Sequence, residues 1–148
     1  MINIEIKHFD SLTINELYSI LKLRNEVFVV EQNCAYLDID DKDQQAYHII
    51  GCKNNKIVAY TRVFKPGDYF ELSSIGRVLV SKDERKHSYG YDIMKESIKM
   101  INEKFGKSDI LISAQSYLKN FYKNLGFIET ENEYLEDGIP HFDMIYKY

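Results

Sequence analysis

The chain of 148 residues has no tryptophan and only two cysteines. Cys34 and Cys52 form neither a metal-ligand spacing nor a disulfide framework. No apolar run approaches the length of a membrane span. The opening Met1-Ile-Asn-Ile-Glu-Ile-Lys7 carries charge too early for a secretory signal. A basic stripe is missing as well. Nineteen Lys and Arg stand against twenty-three Asp and Glu, for a net charge of −4, which argues against a nucleic-acid partner. Two standard phosphate signatures, GxxxxGK[ST] and a GxGxxG following a strand, are absent. Calcium is excluded by spacing. From Asp38 the fifth position is Lys42 and the twelfth is Ile49, and from Asp41 the sixth is Ala46 where an EF-hand loop needs Gly. The acidic run Asp38 to Asp43 therefore reads as a solvated loop, or as a patch that greets a cationic substrate. These absences predict reduced thiols in a cytoplasmic protein with no metal and no membrane segment.

What is present suits one globular domain over 1–148. Hydrophobic residues make up 45% and charged residues 28%, and the length suffices for a real core. Ile2, Ile4 and Ile6 alternate with polar residues and predict a strand. Thr13 to Glu16 fits a capping box, followed by helical spacing through Leu17, Ile20, Leu21, Arg24, Val27 and Phe28. Arg24 falls on the apolar face, so it either snorkels to the edge or aims into a cleft. Tyr47–Lys53 and Ile57–Phe64 predict two strands joined at Asn54-Asn55, a pair tolerant of positive φ. Pro66-Gly67-Asp68 ends the second of them.

The stretch Ile75 to Ile101 organises the rest. Ile75, Val78, Leu79 and Val80 predict a buried strand. Ile93, Met94, Ile98, Ile101 and Phe105 predict a helix beginning near Gly90. Between them lies Arg85-Lys-His-Ser-Tyr-Gly90, a basic loop at a helix N-terminus. Backbone amides and the helix dipole favour a phosphate there. Asp109–Ala114 predicts another strand, Leu118–Leu125 a short helix with Gly126 as its C′ residue, and Phe127-Ile128 the start of a strand. Glu136-Asp137-Gly138 reads as a turn before a last strand, Pro140–Tyr146. The order β-α-β-β-β-α-β-α-β-β predicts an α/β or α+β domain with a mixed sheet.

In order along nearly the whole chain, these elements resemble the GNAT superfamily of N-acetyltransferases. The phosphate loop and Phe121-Tyr-Lys-Asn-Leu-Gly-Phe127 carry the resemblance. Within it, Arg24-Asn-Glu-Val-Phe28, Glu31-Gln32, Asp38-x-Asp40, Ile75-Gly-Arg-Val78 and Asp137-Gly-Ile-Pro-His141 are similar to the ElaA-like branch. The resemblance implies a mostly antiparallel central sheet flanked by helices, with acetyl-coenzyme A as co-substrate. Its pyrophosphate would lie on the loop of Arg85, Lys86, His87, Ser88, Tyr89 and Gly90. Its pantetheine arm would run beside Leu79 and Val80, whose backbone would hold the thioester carbonyl. Ser88 stands where the family has Gly. Serine reaches positive φ less cheaply, but its hydroxyl can bond a phosphate or cap the helix.

Acetyl transfer to an amine needs a neutral amine, a polarised carbonyl and a proton for the departing thiolate. A thiol has a pKa of ~8.5 and a tyrosine ~10, so a tyrosine hydroxyl stays protonated and can donate. The resemblance places that role on Tyr122; packing under the sheet is the structural alternative. Glu31, His141, Asp137 and Glu71 are candidates for the base, and a water chain to a carboxylate is another. Arg24, Glu31, Arg77 and His141 are expected at the acceptor, with Arg77 pairing a carboxylate of the protein or of the substrate. The expected acceptor is a primary amine on a small molecule or peptide, with a homodimer left open. Two other functions share the features: an acyl-homoserine-lactone-synthase-like acyltransferase, suggested by Arg24-x-x-Val-Phe28 and the acidic segment, and a non-catalytic module that binds coenzyme A.

Overall fold

A computed structural model describes residues 1–148. Seven strands form one sheet: β1 (Asn3–His8), β2 (Tyr47–Lys53), β3 (Lys56–Phe64), β4 (Ser73–Val80), β5 (Ile110–Gln115), β6 (Phe127–Glu136) and β7 (Ile139–Tyr146). Their order is β1-β2-β3-β4-β5-β7-β6. Only the β4–β5 pair is parallel, as expected of a mixed, mostly antiparallel sheet. Three helices flank it: α1 (Ile14–Arg24), α2 (Tyr89–Phe105) and α3 (Lys119–Asn124). No helix is long and apolar enough to cross a membrane.

Local chemistry explains the boundaries. The Thr13 hydroxyl accepts from the Glu16 amide while Glu16 accepts from the Thr13 amide, which closes the expected capping box. Asn54 and Asn55, at φ 52° and 62°, make the two-residue turn between β2 and β3. Asp137 and Gly138, at φ 51° and 78°, do the same between β6 and β7. One element departs from the expected pattern. After Arg24 the helix widens into seven residues of π-helix, Asn25–Glu31, so regular helical spacing does not run on to Phe28. Such widened turns frequently mark functional sites.

Each sheet face has its own core. Along β5, Ile110, Ile112 and Ala114 are buried and pack with α2, Tyr122 and Phe127. Leu111, Ser113 and Gln115 point the opposite way. On that second face Ile20, Leu23 and Val27 pack on Ile50, Tyr60 and Leu79.

The acidic run is not a solvated loop. Asp38 and Asp43 are buried, and the segment folds onto three arginines. Arg24 donates through Nε to Asp38 Oδ2 at 2.9 Å, through Nη1 to Asp43 Oδ1 at 2.7 Å, and through Nη2 to the Asp38 carbonyl at 3.0 Å. Arg62 donates to Asp40 at 2.8 and 2.9 Å and to Asp43 at 2.9 Å. Arg77 Nε lies 2.8 Å from Asp38 Oδ1, though its N–H is not aimed at that oxygen. His48 sits beneath, fully buried. Its Nε2 faces the Asp43 carbonyl at 3.0 Å and so carries the proton, leaving Nδ1 to accept from the Tyr60 hydroxyl at 2.6 Å. Three positive and three negative charges thus cancel inside the protein.

Removing one partner strands the others in a medium that solvates them poorly, which typically costs ~3–5 kcal/mol. Asp43→Ala should lower stability to urea by about that amount, because one oxygen serves both Arg24 and Arg62. The network also sets an acid limit. Burial alone would raise the Asp40 and Asp43 pKa values, but their bonds and charge contacts with Arg62 and Arg24 outweigh it and hold both below the usual range. A carboxylate whose pKa is lowered on folding contributes stability above its unfolded pKa, ~3.9, and loses it as pH falls further through the folded value. Wild-type stability should fall steeply below about pH 4. Asp43→Ala, compared by urea titration at each pH, should show a shallower fall.

Candidate functional site

β4 and β5 pair at only two positions, Ser73↔Ile110 and Ser74↔Leu111, and then part. A cleft of about 1200 Å³ opens between them. From Ile75 to Val80 the β5-facing edge of β4 therefore has no strand partner, leaving backbone amides and carbonyls exposed to the cleft. A bulge adds to this. The β3–β4 register passes from Tyr60↔Leu79 to Arg62↔Gly76, so Arg77 and Val78 both oppose Thr61, with Arg77 at φ 49°. The bulge turns Arg77 toward Asp38.

The basic loop forms one end of the cleft. Lys82–His87 makes a 3-10 turn, and Ser88 starts α2 in the left-handed region at φ 63°, ψ 22°. The Tyr91 and Asp92 amides both bond the Ser88 carbonyl. The Tyr89 and Gly90 amides precede the first intrahelical bonds, and no side chain caps them. The Ser88 hydroxyl thus does not fill the capping role allowed for it. Gly90 suits a close approach: a Cβ there would lie 3.3 Å from the Phe121 ring, which would have to shift by a few tenths of an ångström, and 3.7 Å from Val80 Cγ2. The helix end can therefore sit close against β4 and α3.

Among the residues expected at this loop, Leu79, Val80, Arg85, Ser88 and Gly90 line the cleft. Lys86 and His87 are exposed and lie outside its lining. The Tyr89 side chain turns into the core, with its hydroxyl accepting from the Met1 ammonium at 3.3 Å, so only its amide can face a ligand. Arg85 is already engaged. It donates through Nε to the Val80 carbonyl at 3.0 Å and through both terminal nitrogens to Glu31 at 2.6 and 2.8 Å. Gln32, the next residue, donates to Gln115 Oε1 across the cleft at 2.9 Å. The end of the π-helix thus ties to both walls.

The other expected residues divide. Arg24 does not reach the acceptor: it is 0% exposed and its guanidinium is held by Asp38 and Asp43. It neither snorkels nor opens into the cleft. Arg77 lines the cleft but finds its carboxylate within the protein. Glu31 lines the cleft as an ion-pair partner, and the Arg85 bonds hold its pKa low, which makes it a weak base. Glu71 lies outside the lining and Asp137 within it. His141 lines the cleft, with Nδ1 2.7 Å from the Ile139 carbonyl and Nε2 3.4 Å from Glu136. Tyr122 belongs to the core and also lines the cleft at 5% exposure. Burial and nearby Tyr117 raise its pKa, so it holds its proton at neutral pH.

Sequence reasoning missed Ser113, Tyr134 and Asp143. Tyr134 donates to Asp143 Oδ1 at 2.8 Å and makes a close hydrogen bond with Ser113. The signal lay in strand alternation, because Ser113 and Asp143 are cross-strand partners on one face. That pairing could be read only once β7 was known to lie beside β5.

A left-handed conformation costs an ordinary L-residue ~1–2 kcal/mol that glycine does not pay. Ser88→Gly should raise the stability of the ligand-free protein by about 1 kcal/mol in urea unfolding, part of the gain being offset by the freer unfolded chain. A loss of stability would show that the Ser88 hydroxyl makes a bond worth more than the strain.

A family model described as Acetyltransferase (GNAT) domain matches residues 16–148. Protein ElaA of Escherichia coli is 41% identical over 146 residues, 97% of this chain and 95% of that one. The ElaA crystal structure superposes with a TM-score of 0.92 over 99% of this chain and 100% of ElaA. A UPF0039 protein of Schizosaccharomyces pombe is 40% identical over 97% of each chain. The structure of an acyl-CoA N-acyltransferase from Pseudomonas aeruginosa, 33% identical, gives a TM-score of 0.92 over 98% of this chain and 99% of that one.

Proposed function

The chain belongs to the GNAT acetyltransferase family, and on that premise we propose that it moves an acetyl group from acetyl-coenzyme A to a primary amine of a small molecule or peptide. One observation carries this reading: an uncapped helix N-terminus and an unpaired stretch of β4 open onto the same cleft. The first suits a pyrophosphate. The second suits the pantetheine arm, whose two amides can bond strand backbone as a neighbouring strand would.

The fit can be assigned residue by residue. The Tyr89 and Gly90 amides hold the pyrophosphate, with Ser88 beside them. Arg85, its charge paired with Glu31, steadies the Val80 carbonyl. The Leu79 and Val80 backbone holds the arm and the thioester carbonyl. When bound, acetyl-coenzyme A supplies an activated acyl group on a thiol that leaves as thiolate. Tyr122, protonated and at the cleft wall, gives that thiolate its proton. His141 faces the acceptor from β7, on the sheet face opposite the core that holds Tyr122.

Placing negative charge at Ser88 opposes the phosphates. Ser88→Asp should weaken acetyl-coenzyme A binding by about tenfold or more in calorimetry, the equivalent of ~1.4 kcal/mol. Unchanged affinity would exclude the loop as the site. Tyr122→Phe keeps the ring and removes the acid. Single-turnover transfer should slow by ~10²–10⁴-fold, with acetyl-coenzyme A affinity little changed. A melting-temperature loss with near-normal transfer would make Tyr122 a packing residue only.

A further inference from the structure

The geometry points to a route for the acceptor's proton that none of the expected base residues provides. Tyr134 has a single hydroxyl hydrogen, and it is committed. Asp143 Oδ1, 2.8 Å away, can only accept, so Tyr134 donates to it. The bond between Ser113 and Tyr134 must then run the other way, with the Ser113 hydroxyl donating to the Tyr134 oxygen. The chain therefore has one direction: Ser113 to Tyr134 to Asp143. Its far end is fixed, because Asn132 donates to Asp143 Oδ2 at 2.7 Å. Its near end is open. Ser113 Oγ has spent its hydrogen, and its lone pairs remain to accept an N–H.

The fold puts that open end in a useful place. Leu111 is the last β5 residue paired with β4, and Ser113 is the next one along the same row, where the strands have parted. All three members of the chain line the cleft. The Tyr134 ring is held by a stack on His141, with centroids 5.9 Å apart and planes 17° from parallel. Glu136 and His141, with Asp143, are the titratable side chains beside Tyr134, Glu136 lying against His141. Burial and the bond to Asp143 push the Tyr134 pKa up to about 12, so the phenol stays protonated at rest.

We propose that Ser113, Tyr134 and Asp143 form a proton relay that deprotonates the acceptor amine, an inference that rests on the acetyltransferase reading above. An alkyl amine resembles lysine, with a pKa of ~10.4, and arrives protonated at neutral pH. Its N–H donates to Ser113 Oγ. The amine proton moves to Ser113, the Ser113 proton moves to Tyr134, and the Tyr134 proton moves to Asp143. The amine is left neutral, both hydroxyls are restored, and the carboxylate becomes a carboxylic acid that later returns its proton to water. Ser113 is the member that touches the amine, and the other two act through it. His141 is a positioning residue that stacks against Tyr134.

Single-turnover thiol release from acetyl-coenzyme A tests the relay, with ethylamine, phenethylamine and spermidine as probe acceptors from pH 6 to 9.5. Ser113→Ala, Tyr134→Phe and Asp143→Asn should each slow transfer by ~10²–10⁴-fold at pH 7. The deficit should shrink as rising pH deprotonates the amine without help. The Ser113→Ala/Tyr134→Phe double variant should be no slower than either single variant, because one broken link already stops a chain. His141→Asn should cost less than any relay variant. Relay variants within about threefold of wild type overturn the relay alone, as does a deficit that is the same at every pH, or a His141→Asn variant that alone reproduces the pH-dependent loss. Wild-type protein that releases thiol with none of the amines overturns the acetyltransferase reading and the relay with it.

Discussion

Six charged side chains, drawn from four parts of the chain, hold the scaffold of this protein in register. Arg24 comes from α1, Arg62 from β3 and Arg77 from the β4 bulge, and Asp38, Asp40 and Asp43 come from the segment between the π-helix and β2. Arg24, Arg62, Asp38 and Asp43 are buried and Arg77 and Asp40 are only partly exposed, so each depends on the others for charge balance. Such a network is a poor source of net stability compared with well-packed hydrophobic residues, but it penalises misplacement heavily. A slip of α1 by one turn, or of β4 by one residue, would bury an unpaired charge. The position of the π-helix end and the direction of the bulge both depend on this constraint.

The cleft follows from that frame. Arg77 turns toward Asp38 in the bulge, and beyond Ser74 the strand β4 has no partner on its β5 side. The parting gives the cleft two characters. On the side of α2 and α3 lie the uncapped helix end, Phe121 and Tyr122. On the opposite face of β5, β6 and β7 lie Ser113, Tyr134, His141 and Asp143. On the function we propose, a thioester threaded between the strands would meet Tyr122 from one side and the acceptor from the other. The Glu31–Arg85 pair and the Gln32–Gln115 bond link the two walls at the end of the π-helix.

Much of the scaffold was legible in the sequence because local chemistry specified it. The capping box at Thr13, the Asn54-Asn55 turn and the change of period between Val80 and Ile93 each fix an element without reference to its neighbours. The turn that leads into α2 could be read for the same reason. What could not be read was pairing between distant segments. Three arginines on apolar elements and three aspartates in one segment match in number, yet nothing local says that they meet, and an acidic run looks solvated until its partners are known. Without that knowledge the sequence points Arg24 toward the acceptor, whereas Asp38 and Asp43 hold it in the interior. Ser113, Tyr134 and Asp143 stayed hidden because β7 inserts between β5 and β6, an order that alternation alone does not reveal. The π-helix was masked because its residues fit helical spacing nearly as well.

The direct test of the central claim is the fate of the acetyl group. Wild-type protein given acetyl-coenzyme A and a mixture of primary amines, with free thiol followed by colour and products by mass, should release thiol only when amine is present. Each thiol should be matched by one N-acetylated amine. Acetyl-coenzyme A that binds tightly, shown by a raised melting temperature, but yields no amine-dependent thiol would contradict the account and make the protein a binder of coenzyme A rather than an enzyme.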